Sequence, residues 1–166
     1  MTTLLSKMKN KKSIVLLHGV FDPSIIPELK KRRISEVYLL EGRPSLKAAK
    51  NFSRVLLKNK IKPVLIADNM AGFLFFRNLV KEVWIAYQNE NGEGVLATIG
   101  ASILAVLAKN HQVEVNLYRA GEEVKLLGRE KEVFEFNGVR VAPKNIRGYV
   151  PLVETLPRKY ITKIYN

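Results

Sequence analysis

Cysteine is absent from this chain, which removes disulfides, thiolate zinc sites and any cysteine nucleophile at once. Histidine is nearly as scarce: His18 and His111 are the only two, too far apart in sequence for metal-ligand spacing. No Gly-x-Gly-x-x-Gly follows a strand pattern and no Walker loop is present, so no cofactor and no metal are expected. No apolar run approaches the roughly 18 residues of a membrane span. Residues 1–12 are basic but lack the apolar core of a signal peptide, so the expectation is a soluble, cytoplasmic chain without membrane association. Acid is also in short supply, with 15 Asp and Glu against 28 Lys and Arg, a net charge of +13.

What is present suits a folded domain. The 166 residues are 47% hydrophobic, enough for one α/β domain over residues 1–166 with a basic, flexible arm at 1–12. The charge is lopsided: residues 1–67 hold 15 Lys and Arg with 4 Asp and Glu, a balance of +11, which leaves +2 for the remainder. A basic half suits RNA or another nucleic acid, phosphate ligands or an acidic partner. The plainer reading is a solvated surface. Lys30-Lys31-Arg32-Arg33 closes a helix where cations suit the dipole, and no aromatic residues are interleaved with the charges as in a base-stacking platform.

Periodicity predicts strands at residues 13–17, 37–40, 63–67, 82–86 and 113–117. Helices are predicted from the Asp22-Pro23 start to about residue 33, and over 45–60, 71–79 and 95–110. Alternation of this kind implies an α/β fold, a Rossmann-like doubly wound parallel sheet with right-handed crossovers. Short strands at 123–127, 133–136 and 139–141, with Asn137-Gly138 as a tight turn, add a small β-hairpin elaboration near the C-terminus.

Ligands of such sheets bind beyond the carboxyl ends of the strands, near the point where strand order reverses. His18 ends the first strand, either as a ligand contact or as a hydrogen-bonded structural group. Asp22 reads as a helix cap, which disfavours an anion at that helix. Arg43 could clamp a phosphate or carboxylate, or be held internally by Glu41. Asp68, beside Asn69, could orient a sugar hydroxyl or cap the next helix. Glu90 and Glu93 fall in a turn expected to be exposed. The apolar stretch 70–76 is difficult to bury on every face, so Met70, Phe73, Leu74 and Phe76 are candidates for a homodimer interface, with Phe73 and Phe76 as anchors.

Several motifs resemble one family. Glu41-Gly42-Arg43-Pro44, Asp68-Asn69-Met70-Ala71, Asn91-Gly92, Ile99-Gly100 and the proline-flanked segment Val150-Pro151-Leu152-Val153-Glu154-Thr155-Leu156-Pro157 are similar to the superfamily of methylthioribose-1-phosphate isomerase, ribose-1,5-bisphosphate isomerase and the alpha, beta and delta subunits of translation initiation factor 2B. The resemblance extends from about Lys12 to Ile164, broken at the hairpin region, and covers that family's carboxy-terminal domain without its helical amino-terminal domain. Glu154 stands where the family usually has aspartate.

The resemblance implies a phosphorylated ligand in the crevice, and pairing of domains near the helix after Asp68. It also marks departures. The isomerases' Gly-Ala-Asp-Arg after the fourth strand is replaced by Ala86-Tyr87-Gln88, and their Asn-Lys-Ile-Gly-Thr reads Ala97-Thr98-Ile99-Gly100-Ala101. With the acid–base cysteine also missing, the expectation is not an enzyme. It is a non-catalytic domain like the initiation-factor regulatory subunits, acting by protein association, with a partner in the translation machinery. Two alternatives stand beside it: a sensor of sugar phosphates or nucleotides, and a nucleic-acid binder using residues 1–62. The candidate ligand contacts are His18, Arg43, Asp68, Asn69, Gln88 and Thr98.

Overall fold

Six parallel strands form the spine of the fold, in the order β10 (Lys163–Ile164), β6 (Glu114–Arg119), β4 (Val80–Asn91), β1 (Ile14–His18), β2 (Glu36–Leu40) and β3 (Lys62–Ile66). The computed structural model describes residues 12–136 and 138–165. In chain order the elements begin with β1 (Ile14–His18), α1 (Ile25–Lys31) and β2 (Glu36–Leu40). A π-helical turn (Ala48–Phe52) then runs into α2 (Ser53–Lys58), followed by β3 (Lys62–Ile66), a 3-10 turn (Asp68–Met70) and α3 (Ala71–Phe76). The centre is β4 (Val80–Asn91), β5 (Gly94–Thr98), α4 (Ala101–Asn110) and β6 (Glu114–Arg119). The last part holds α5 (Lys131–Phe134), β7 (Glu135–Phe136), β8 (Val139–Arg140), β9 (Val153–Pro157), a 3-10 turn (Arg158–Tyr160) and β10 (Lys163–Ile164).

All five residues of β1 are buried, as expected of a central parallel strand covered on both faces. Their side chains divide between two cores by the strand's two-residue period. Ile14 and Leu16 pack with α3 and α4 residues such as Phe75 and Leu104. Val15 and Leu17 pack with Leu29 of α1, with Phe52 and Leu56, and with Trp84. The chain therefore winds over both faces of a mostly parallel sheet, the α/β, Rossmann-like arrangement read from the sequence. Strand order departs in opposite directions from the β1/β4 pair, which puts the switch point beside His18.

Residues 95–110 do not form one helix. Gly94–Thr98 is a strand antiparallel to both β4 and β9, and α4 starts only after Gly100, whose φ of +99° breaks the chain direction. An apolar run this short suits either state, and here tertiary pairing selected the strand. Gly94 makes the pairing possible, since a Cβ on it would stand 2.0 Å from the Leu156 carbonyl oxygen. The fourth strand runs on to Asn91, well past Ala86, because β5 pairs with its far half. Glu90 and Glu93 are indeed exposed at the tip of that hairpin.

The hairpin region also differs in detail. Residues 123–127 form no strand and contribute one isolated bridge between Leu127 and Pro151, while 133–136 open as the short helix α5 before β7. Asn137 of the expected turn lies outside the described residues, as does the basic arm up to residue 11. Asp22 does not cap α1. Its Oδ1 accepts the Ser24 amide at 2.8 Å, and the helix begins after Ser24 with no side-chain cap. No helix among the described residues is long and apolar enough to cross a membrane.

Candidate functional site

The loops after β1, β2 and β3 meet the start of α4 around a cavity of about 500 Å³. At the end of β1, His18 is fully buried, with Nε2 3.0 Å from the Ile99 carbonyl and 3.3 Å from that of Thr98. Carbonyls only accept, so Nε2 carries the hydrogen and Nδ1 keeps a lone pair. That Nδ1 is buried and has no partner among the described residues. Burial pushes the imidazole pKa below its ordinary 6.5, against the pull of nearby Asp68, the two carbonyls and Glu154. Glycines on either side allow this packing. Gly19 has a φ of +100° and a Cβ there would lie 2.8 Å from that of Ala86, while one on Gly100 would stand 3.3 Å from His18 Cε1.

Asp68 grips the turn after β2. Its Oδ1 accepts the Gly42 amide at 3.0 Å and its Oδ2 the Arg43 amide at 2.7 Å. It therefore does not cap the helix that follows it, and no Glu41–Arg43 bond is needed to fix the turn. Burial and then Asp68 push the Glu41 carboxyl above its ordinary value, and Arg43 offsets part of this. The Arg43 guanidinium lies over the Phe136 ring, 4.7 Å from its centroid, and makes no ion pair among the described residues. It is a cation held by its backbone and an aromatic face, with no hydrogen bond from its guanidinium among the described residues.

Glu154, which the sequence reading did not include among the ligand contacts, closes the far side. Its Oε1 accepts the amides of Gly100 at 2.7 Å and Ser102 at 3.0 Å. An anion already occupies the amino end of α4, so a phosphate is disfavoured there and is directed to the Arg43 side. The opposite wall is apolar, made by Leu40, Ile99, Ile103, Leu104 and Leu107. The cavity is thus cationic at its rim, rich in proton acceptors at its floor and apolar on one flank.

Of the six expected contacts, His18, Arg43, Asp68 and Asn69 come together in this cavity. Thr98 faces a small neighbouring void of about 30 Å³ and contributes only its carbonyl to His18. Gln88 lines a separate depression with Arg119, Glu122 and Glu123, because β4 carries it away from the crevice. Among the expected interface residues, Met70, Phe73 and Phe76 are exposed, Phe76 by 80%. Leu74 corrects the expectation: it is buried in the core with Ala71 and Phe75, the side of α3 that faces the sheet.

A family model described as the initiation factor 2 subunit family matches residues 23–165. The chain belongs to that family. It is 31% identical over 161 residues to the methylthioribose-1-phosphate isomerase of Thermus thermophilus, covering 89% of this chain and 48% of the relative. It is 34% identical over 140 residues to the enzyme of the same name from Desulfitobacterium hafniense, covering 77% and 41%. The chain therefore spans about half the length of the curated relatives it matches.

Among solved structures, subunit delta of translation initiation factor eIF-2B from A. fulgidus superposes with a TM-score of 0.80 at 17% identity, covering 96% of this chain and 53% of that one. The 5-methylthioribose 1-phosphate isomerase from Pyrococcus horikoshii OT3 superposes with a TM-score of 0.78 at 23% identity, covering 92% and 49%. At such identities these two likenesses establish the shared fold.

The expected non-catalytic, regulatory-type role is overturned by these relatives: isomerases match at 31–34% identity. That expectation weighed what two loops lack, at residues 86–88 and 97–98.

Proposed function

We propose that this initiation factor 2 subunit family domain serves isomerisation of a sugar 1-phosphate of the methylthioribose-1-phosphate class. The observation that carries the reading is the division of the cavity. Arg43 supplies an uncommitted cation for the phosphate, and Asp68 and Asn69 stand beside it for sugar hydroxyls. The apolar flank of Ile99, Ile103, Leu104 and Leu107 suits a thioether substituent rather than a hydroxyl or second charged group. The names of the relatives point to the same reaction class.

Conversion of a cyclic aldose 1-phosphate to an open-chain ketose 1-phosphate has fixed bookkeeping. The bond from C1 to the ring oxygen breaks, the C2 hydrogen is relocated to C1, the C2 hydroxyl loses its proton to become a carbonyl, and the ring oxygen gains one. A site for this reaction needs a proton acceptor near C2 and a fixed phosphate, and little water. The test is carbon NMR of methylthioribose-1-phosphate incubated with the purified chain. Growth of a ketone resonance that is absent without protein is the expected result; an unchanged aldose spectrum under saturating substrate overturns the reading.

A further inference from the structure

We propose that His18 is the catalytic base of this site, taking the proton of the substrate's C2 hydroxyl on Nδ1. This rests on the reading given above and adds the residue that performs its proton transfer. The ring is fixed before substrate arrives, because Nε2–H donates to the Ile99 and Thr98 carbonyls at 3.0 and 3.3 Å. Those bonds dictate the tautomer, so the free lone pair falls on Nδ1, the ring's other nitrogen. Nδ1 is buried and has no partner among the described residues, and a buried polar atom without a partner is uncommon enough to demand an account. His18 lines the cavity, and the glycine at position 100 adds no side chain against the ring, where a Cβ would stand 3.3 Å from Cε1.

The surroundings suit a base that must be neutral at rest and charged in passing. Burial disfavours the imidazolium. The charged groups facing it are Asp68, Glu154 and Arg43, from the loops after β3 and β2 and from β9. The two carboxylates favour the imidazolium once it forms, and their positions are locked by backbone amides. In the step itself, Nδ1 takes the C2 hydroxyl proton as the C2 carbonyl forms, and the C2 hydrogen moves with its electron pair to C1 as the C1–ring oxygen bond breaks. C2 is oxidised and C1 reduced within one molecule. The ring oxygen gains a proton from solvent, to which the imidazolium then returns its own, so the sum is unchanged.

The test is His18→Gln, whose amide nitrogen reaches the Nε2 position and keeps the donor to Ile99 while lacking a base. The expected outcome is a kcat at least about 100-fold below the parent, with KM changed less than threefold. In the parent, kcat should rise with pH through an imidazole pKa below 6.5 and then level off; in the variant that acid limb should vanish. A variant with kcat within fivefold of the parent, or with the acid limb retained, overturns the proposal while leaving the isomerase reading intact. A parent chain without activity removes that reading and this one with it.

Should the variant fail to fold, nitrogen NMR of the parent decides. Hydrogen on Nε2, bare Nδ1 at neutral pH and movement of the Nδ1 resonance on adding methylthioribose-1-phosphate support the proposal. A proton on Nδ1, or a resonance that ignores the sugar phosphate, overturns it.

Discussion

Removing the Glu82 carboxylate should cost this fold a large part of its stability. Glu82 is buried at 2% exposure, and it is held from three sides. Oε1 accepts from Arg32 at 2.9 Å, while Oε2 accepts from Trp84 Nε1 at 2.7 Å and from the Asn116 amide at 3.2 Å. In Glu82→Ala the Arg32 head, partly exposed already, can turn to water. Trp84 and Asn116 cannot, so two buried donors are stranded, each worth about 1–3 kcal/mol. The expected loss is about 3–4 kcal/mol, within the range for breaking one partner of a buried pair. With a urea dependence of about 2 kcal/mol per molar, the unfolding midpoint falls by about 1.5–2 M. Trp84 is the only tryptophan and sits against the lesion, so its fluorescence in a urea titration reports both unfolding and the local change. Glu82→Gln, which keeps an acceptor oxygen, should lose less. A midpoint shift below about 0.5 M in Glu82→Ala would mean that the buried network is not as described.

Gly94→Ala places a Cβ against the Leu156 backbone, so β5 and β9 must part; the expected loss of at least about 2 kcal/mol lowers Tm by about 4–8 °C, and a melt within about 2 °C of the parent contradicts the register. Glu41 has a raised carboxyl pKa, so its proton is bound more tightly when folded, and its contribution to stability is greatest at low pH and lost as pH rises above the ordinary 4.5. Glu41→Gln should therefore gain stability over the parent at pH 7 and converge with it near pH 4, by urea titration at both values; an equal offset at both pH values contradicts the assigned cause.

The crevice was legible in pieces. Glu41-Gly42-Arg43-Pro44 and Asp68-Asn69 could be placed beyond strand ends because strand ends are set by local apolar runs. What Asp68 holds could not be read, since its partners lie 25 and 26 residues back in another loop. Glu154 was visible as the odd acid in a proline-flanked segment, yet its role depends on amides 52 and 54 residues away. Thr98 was expected in a helix and Gln88 just past a strand end, whereas both lie within strands and line other hollows: along a strand, neighbouring side chains point to opposite faces, so a residue's place in the chain does not fix where it points. The antiparallel β5 escaped because Val95, Leu96 and Ala97 lie only a few residues before the apolar face of α4, and no periodicity separates the two; the glycine at position 100 is the one local sign of the break. The bare Nδ1 of His18 is a property of tautomer and packing, which sequence does not carry.

Isothermal titration of methylthioribose-1-phosphate into the chain and into Arg43→Ala tests the central claim most directly, because Arg43 is the uncommitted cation on which phosphate placement depends. Losing a hydrogen bond to a charged group costs about 1.5–3 kcal/mol, which predicts measurable binding in the parent and affinity about 10- to 150-fold weaker in the variant. Equal affinity in both, or no binding to the parent at millimolar sugar phosphate, would contradict a sugar-phosphate site in this crevice.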